Sequence, residues 1–210
     1  MLDLVLPLQC GGCGAPATRW CASCRKDLAV RADEPHVVSP RVDPRVPVFA
    51  LGRYAGPRRH ALLALKERGR RDLVTPLATP LAAGIHRLLT WGMLDTPLTV
   101  VPAPTRRLSA RRRGGDPVTR LAQAAVARHP DISVAAVLRL KAFARDSVGL
   151  DISARERNVA GRVLLRGPRP LTEVLIIDDI VTTGATARES VRVLEAAGVR
   201  VAAVLAIASA

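Results

Sequence analysis

Two stretches of this 210-residue chain carry residue types that can do chemistry. One is "EVLIIDDIVTTGAT", residues 173–186. An apolar run delivers two adjacent carboxylates, Asp178 and Asp179, and a Thr/Gly loop follows: Thr182, Thr183, Gly184, Ala185 and Thr186. The pattern reads as a strand that ends at the acids, then a loop, then a helix. Thr186 and Glu189 have the spacing of a capping box, which places the helix start near 186. A helix N-terminus offers free backbone N–H groups and a favourable dipole to a phosphate. Gly184 lets the backbone come close, and the threonines add hydroxyl donors. Carboxylates beside such a cradle suit a hydroxylated ligand that develops positive charge. A 5-phosphorylated ribose meets both demands, because its hydroxyls can donate to the acids and reaction at its anomeric carbon passes through an oxocarbenium-like state. A Walker B strand has a similar look, but the chain has no Gly-x-x-x-x-Gly-Lys-Ser/Thr loop, which argues against an ATPase.

The other stretch is Cys10-x-x-Cys13, seven residues, then Cys21-x-x-Cys24, which uses all four cysteines of the chain. Two such pairs can close a tetrahedral thiolate site around Zn²⁺ with no open position, a structural rather than catalytic centre. Ligation could fold a segment too short to bury a core of its own. A disulfide pair suits a cytosolic chain poorly, and a redox Cys-x-x-Cys would not need a duplicate. Small zinc segments either bind nucleic acid or brace a neighbouring domain, and both readings stay open.

The elements that must position these residues follow from hydrophobic patterning. Residues 1–30 form the cysteine segment, 31–47 a linker rich in Pro, Asp and Arg, and 48–210 an α/β domain. "VFALGRY", "PLTVVPAP", "SVAAVLRL", "GRVLL", "EVLIID" and "VRVAAVLAIA" read as strands. "PRRHALLALKERG" opens on Pro57 and stops at Gly69, as a short helix does. "LVTPLATPLAAGIHRLLTW" reads as helical in its second half, and Asp116-Pro117 as the start of another helix. Alternation of this kind predicts a mostly parallel sheet flanked by helices. The unbroken apolar runs fit strands buried on both faces.

Composition narrows the partners. The formal net charge is +14, with 32 Lys and Arg residues of which only Lys26, Lys66 and Lys141 are lysine. That charge suits an anionic partner such as nucleic acid or phosphates, although an arginine excess also arises from coding bias. With only five aromatics, base stacking is scarce, so nucleic-acid contact would be phosphate-driven and salt-dependent. No apolar run is long enough to cross a bilayer, and "MLDLVLPLQC" has no basic n-region. The expectation is a cytoplasmic protein with no membrane partner.

The motifs also resemble a family. "VLIIDDIVTTGAT" closely resembles the phosphoribosyl pyrophosphate (PRPP) motif of type I phosphoribosyltransferases, and nearly the whole chain resembles the ComF family. The matching positions are the four cysteines; Tyr54, Gly56, Arg59, Leu65, Lys66 and Gly69; Pro102, Pro104, Arg113 and Gly114; and Arg139, Gly149, Leu150, Arg155 and Asn158. Residues 113–117 read Arg-Gly-Gly-Asp-Pro where the family usually has Arg-Gly-Phe-Asn-Gln, and Ser147 stands where a Gln is common. The resemblance implies a type I phosphoribosyltransferase-like fold with an N-terminal zinc ribbon. It implies transfer of a phosphoribosyl group to a nitrogenous base or amine with release of pyrophosphate. PRPP would bind with Mg²⁺, its phosphate at 182–186 and its ribose on Asp178 and Asp179 as catalytic residues. Val101, Pro102, Ala103 and Pro104 would hold pyrophosphate through backbone N–H groups, and Arg139, Lys141 and Arg145 would cover the leaving group. The alternative is a weakly catalytic or non-catalytic protein of DNA uptake that keeps the PRPP site as a sensor. Either is compatible with a homo-oligomer. The acceptor-binding hood would fall within 48–95, where the sequence shows packing signals only.

Overall fold

The strand that carries the acidic pair lies inside the sheet. The computed structural model describes residues 8–105, 116–141 and 161–210. In chain order its elements are α1 (Ala22–Asp27), β1 (His36–Val37), β2 (Val48–Ala50), α2 (Gly56–Glu67), α3 (Val74–Thr90), β3 (Leu98–Pro102), α4 (Pro117–Val126), β4 (Ile132–Val134), β5 (Leu138–Leu140), β6 (Val163–Leu165), β7 (Glu173–Val181), α5 (Ala185–Ala196) and β8 (Val201–Ser209). Among the described residues the main sheet has six strands, ordered β1-β2-β8-β7-β3-β4. All its pairings are parallel except β1 with β2. A mixed α/β fold with a mostly parallel sheet is therefore what this sequence forms. The short β5 and β6 pair antiparallel in a separate ribbon, so "SVAAVLRL" supplies two strands rather than one.

Period-two alternation splits the apolar strands between two cores. Leu175, Ile177, Leu205 and Ile207 pack with α2, α3 and α4 through Leu62, Leu77, Leu81 and Leu121. Val174, Ile176, Val204 and Ala206 face the other way, onto Val191 and Leu194 of α5 and onto Leu138 and Val163 of the ribbon. Helix α3 is helical from Val74, not only in its second half. Pro76 falls in the first turn, where an N–H has no partner within the helix. Pro80 lies inside and costs about 3 kcal/mol. Burial of Leu77, Leu81, Ile85 and Leu88 outweighs that, at roughly 1.5–3 kcal/mol each.

The cysteine segment packs onto this frame. Leu28 belongs to the first core, and Trp20 and Val30 lie against it. Gly11 meets Leu73 so closely that an added Cβ would fall 2.5 Å from its Cδ1. Arg70 donates to Gln9 O at 3.1 Å, and His60 Nδ1 lies 2.9 Å from Gly12 O.

Candidate functional site

The acidic pair sits where one neighbour of β7 stops and the other continues. On one side, β7 stays paired with β8 through Asp178↔Ala206 to Val181↔Ser209. The strand thus runs past the acids instead of ending at them. On the other side, β3 closes at Pro102, opposite Ile177, and the last backbone bond runs from Ala103 N–H to Ile177 O at 2.7 Å. Pro104 has no N–H with which to extend the ladder. Asp178 and Asp179 therefore lie beside a gap in the sheet. They line a cavity of about 340 Å³ with Lys66, Glu67, Pro104, Thr105, Leu140 and Thr186.

Lys66 lines this cavity as well, and the sequence reading assigned it no role. It sits in the last turn of α2, and its Nζ lies 2.9 Å from Asp179 Oδ2. Burial works against the ammonium, but Asp179, with Asp178 and Glu67, outweighs it and holds Lys66 above the usual lysine range. Asp178 is pushed well above the usual carboxylate range by burial and by the charge of Asp179, with Lys66 opposing. Its Oδ1 accepts a bond from the Asp179 backbone N–H at 2.8 Å.

The loop after β7 opens α5 by a different route from a capping box. Gly184 is the N-cap, with φ +83° and no side chain of its own, and Thr183 Oγ1 accepts from the Ala185 N–H at 3.4 Å. The helix starts at Ala185, one residue earlier than expected. Glu189 is used elsewhere: it accepts from Gly161 N–H at 2.7 Å and pairs with Arg192 at 2.7 Å. Arg192 holds its carboxyl below the usual range, burial notwithstanding. Residues 180–187, with Asp178, enclose a second, smaller cavity of about 30 Å³. The acids and the Thr182–Thr186 loop are therefore brought together, and Thr186 lines both cavities.

The remaining expected residues fare differently. In the 101–104 stretch, Pro102 and Pro104 have no N–H and Ala103 gives its own to Ile177. Val101 is a ladder residue opposite Ile176. The side chains of Val101 and Ala103 belong to the second core. Thr105, which lines the cavity, is the first residue past the ladder with an N–H to offer. Arg139 is exposed and bonds Leu138 O at 2.8 Å, while Lys141 is exposed and bonds Arg162 O through its backbone at 2.9 Å. Neither lines the cavity, although Leu140 between them does. Arg145 lies outside the described residues, as do Arg113, Gly114, Ser147, Gly149, Leu150, Arg155 and Asn158.

At the other end of the chain, the sulfurs of Cys10, Cys13, Cys21 and Cys24 lie within 4.8 Å of one another, and none is in a disulfide. The Cys13–Cys21 separation is 3.6 Å, close to the edge of a tetrahedron with ~2.3 Å metal–sulfur bonds. Cys10 is buried, yet the backbone N–H groups of Cys13, Cys21 and Gly12 lower its thiol to about 6. Burial and the other three sulfurs push Cys24 upward instead. Four soft donors in this arrangement fit Zn²⁺, which would hold all four as thiolates.

No family model and no curated protein matches the chain. Among solved structures it is similar to a hypoxanthine phosphoribosyltransferase from Staphylococcus aureus, at 17% identity and a TM-score of 0.36. The overlap covers 63% of this chain and 61% of that one, so the likeness spans less than two thirds of the other protein.

Proposed function

We propose that this chain is a PRPP-binding phosphoribosyltransferase of the ComF family, which transfers the phosphoribosyl group to a nitrogenous base or amine. One observation carries the reading: Asp178 and Asp179 open, beside the end of β3, onto the same cavity as Thr186 in the first turn of α5. The volume of about 340 Å³ falls in the small-ligand range of roughly 300–1,000 Å³. The loop at 182–186 holds the 5-phosphate with backbone N–H groups and hydroxyls. Asp178 and Asp179 can accept hydrogen bonds from the ribose hydroxyls. As the bond from the anomeric carbon to pyrophosphate breaks and the acceptor nitrogen bonds to that carbon, Asp179 stabilises the positive charge that builds there. Lys66, with its Nζ 2.9 Å from Asp179 Oδ2, pairs with that carboxylate until the ligand arrives. Asp178 and Asp179 offer the hard oxygen donors that suit Mg²⁺, which would neutralise pyrophosphate charge when bound with PRPP. The four cysteines would hold a structural Zn²⁺.

The test is calorimetric titration with PRPP and Mg²⁺, wild type against Asp178→Asn/Asp179→Asn. Wild-type binding that the double variant loses supports the reading, and no wild-type binding refutes the site. Binding without pyrophosphate release across a panel of bases and amines would favour the PRPP sensor associated with nucleic acid, the reading that the +14 charge favours.

A further inference from the structure

The linker segment touches the loop that opens α5. Val42 N–H donates to Thr183 O at 2.8 Å. Arg188, in the first turn of α5, donates from Nη1 to Asp43 O at 2.7 Å. An added Cβ on Gly184 would fall 2.5 Å from Val42 O and 2.7 Å from Pro40 Cβ. Backbone meets backbone here, so a side chain at 184 would force the strap away. Glycine at 184 serves this contact as well as the left-handed turn at φ +83°.

The peptide group between Thr183 and Gly184 is planar, and in the trans form its C=O and N–H point in opposite directions. Its carbonyl is turned to Val42, so the Gly184 N–H is turned away from the strap. Asp178, half-buried, lines the small cavity that Gly184 also lines, on the far side of the loop from the strap's hydrogen bond.

We infer that residues 40–43 are a positioning strap for the phosphate loop, fixing the Gly184 N–H toward a phosphoester dianion. The inference rests on the proposed 5-phosphate site. Neither Val42 nor Arg188 lines either site cavity, so both act through the loop. The strap lies between β1 and β2, so the chain passes the phosphate loop between its first two strands of the main sheet.

Val42→Pro removes the N–H and keeps an apolar ring, Arg188→Ala removes the clamp, and Val42→Ala keeps the N–H as a control. The full chain is titrated with ribose 5-phosphate and, separately, with pyrophosphate and Mg²⁺. A hydrogen bond to a charged group is worth enough to make Val42→Pro weaken ribose 5-phosphate binding by about tenfold to a hundredfold. Arg188→Ala should weaken it by about threefold, one exposed hydrogen bond at the low end of the usual range. Val42→Ala should match wild type, and pyrophosphate affinity should hold in all three. If Val42→Pro does not fold, as circular dichroism would show, Arg188→Ala decides the matter. Wild-type ribose 5-phosphate affinity in the folded variants overturns the strap. A parallel fall in pyrophosphate affinity overturns it too, because the strap would then be general scaffolding. Failure of wild type to bind ribose 5-phosphate overturns the underlying site, a different result.

Discussion

Lys66→Met isolates the charge balance of the acidic pair. Methionine keeps the stem and removes the ammonium. The ion pair is 2.9 Å long, with the Lys66 side chain 37% exposed and that of Asp179 9%. Fully exposed pairs are worth about 0–1 kcal/mol, and removing one partner of a buried pair costs about 3–5 kcal/mol. This pair lies between the limits, with the carboxylate on the buried side, so the expected loss is about 1–3 kcal/mol at pH 8. For a chain of this size each kcal/mol moves the thermal midpoint by about 2–4 °C, and urea unfolding measures the same loss at 25 °C.

The pH dependence separates this account from a simple loss of packing. Lys66 opposes the upward shift of Asp178, so without the ammonium that carboxyl moves higher still in the fold, while in the unfolded chain it stays near ~3.9. The folded state then binds more protons than the unfolded state above that value. Stability therefore falls as pH rises through the window. The Lys66→Met defect should be small near pH 4 and should grow towards pH 8. Adding Asp179→Asn removes the uncompensated charge, so the double variant should recover at least half of the loss at pH 8. A pH-independent defect, or a double variant no better than Lys66→Met, would refute the reasoning.

Asp178 titrates high through burial and the Asp179 charge, so wild type loses stability as pH rises above the unfolded carboxyl value. Asp178→Asn should melt above wild type at pH 8 and lose that advantage near pH 4; a deficit that grows with pH contradicts the assignment. Thr186→Ala tests the start of α5: loss of a true N-cap costs about 1 kcal/mol, but here the midpoint should stay within roughly 1–2 °C while phosphate affinity drops. Metal analysis should find about one zinc per chain. Chelation should lower the thermal midpoint and redden Trp20 emission, because Trp20 lies against Gly12 and the first core; protein with no bound metal, unchanged by chelator, removes the zinc site.

The sequence shows α2, α4 and the buried strands because their signals are local. Pro57 and Gly69 bracket α2, and Asp116 caps α4 by accepting from Val118 N–H at 3.2 Å. The acids and the Thr loop are likewise adjacent in the chain. What stays hidden depends on distant partners. Lys66 reads as an ordinary lysine on an amphipathic helix, and only the packing of α2 puts it beside Asp179. The Thr186–Glu189 spacing fits a capping box, but Gly161 and Arg192 claim Glu189 and Gly184 starts the helix. The apolar run breaks at Asp178 in the sequence, whereas β8 continues for nine residues and carries β7 with it.

Helix α2 explains why the two chemical clusters belong to one structure. His60 touches the cysteine knuckle at Gly12, and Lys66 touches the acidic pair. Six residues separate them, about 9 Å of rise and about 120° around the helix axis. One face of α2 therefore rests on the cysteine segment while another presents the ammonium to Asp179. Just past its end, Arg70 bonds both Gln9 O and Asp72, the latter at 2.6 Å, and Gly11 seats on Leu73. A segment too short for its own core thus fixes the height and rotation of the helix that balances the site's charge. Among its described residues the contacts fall on α2, on the turn that follows it and on α3, and none lines the acidic cavity, which is the arrangement of a brace.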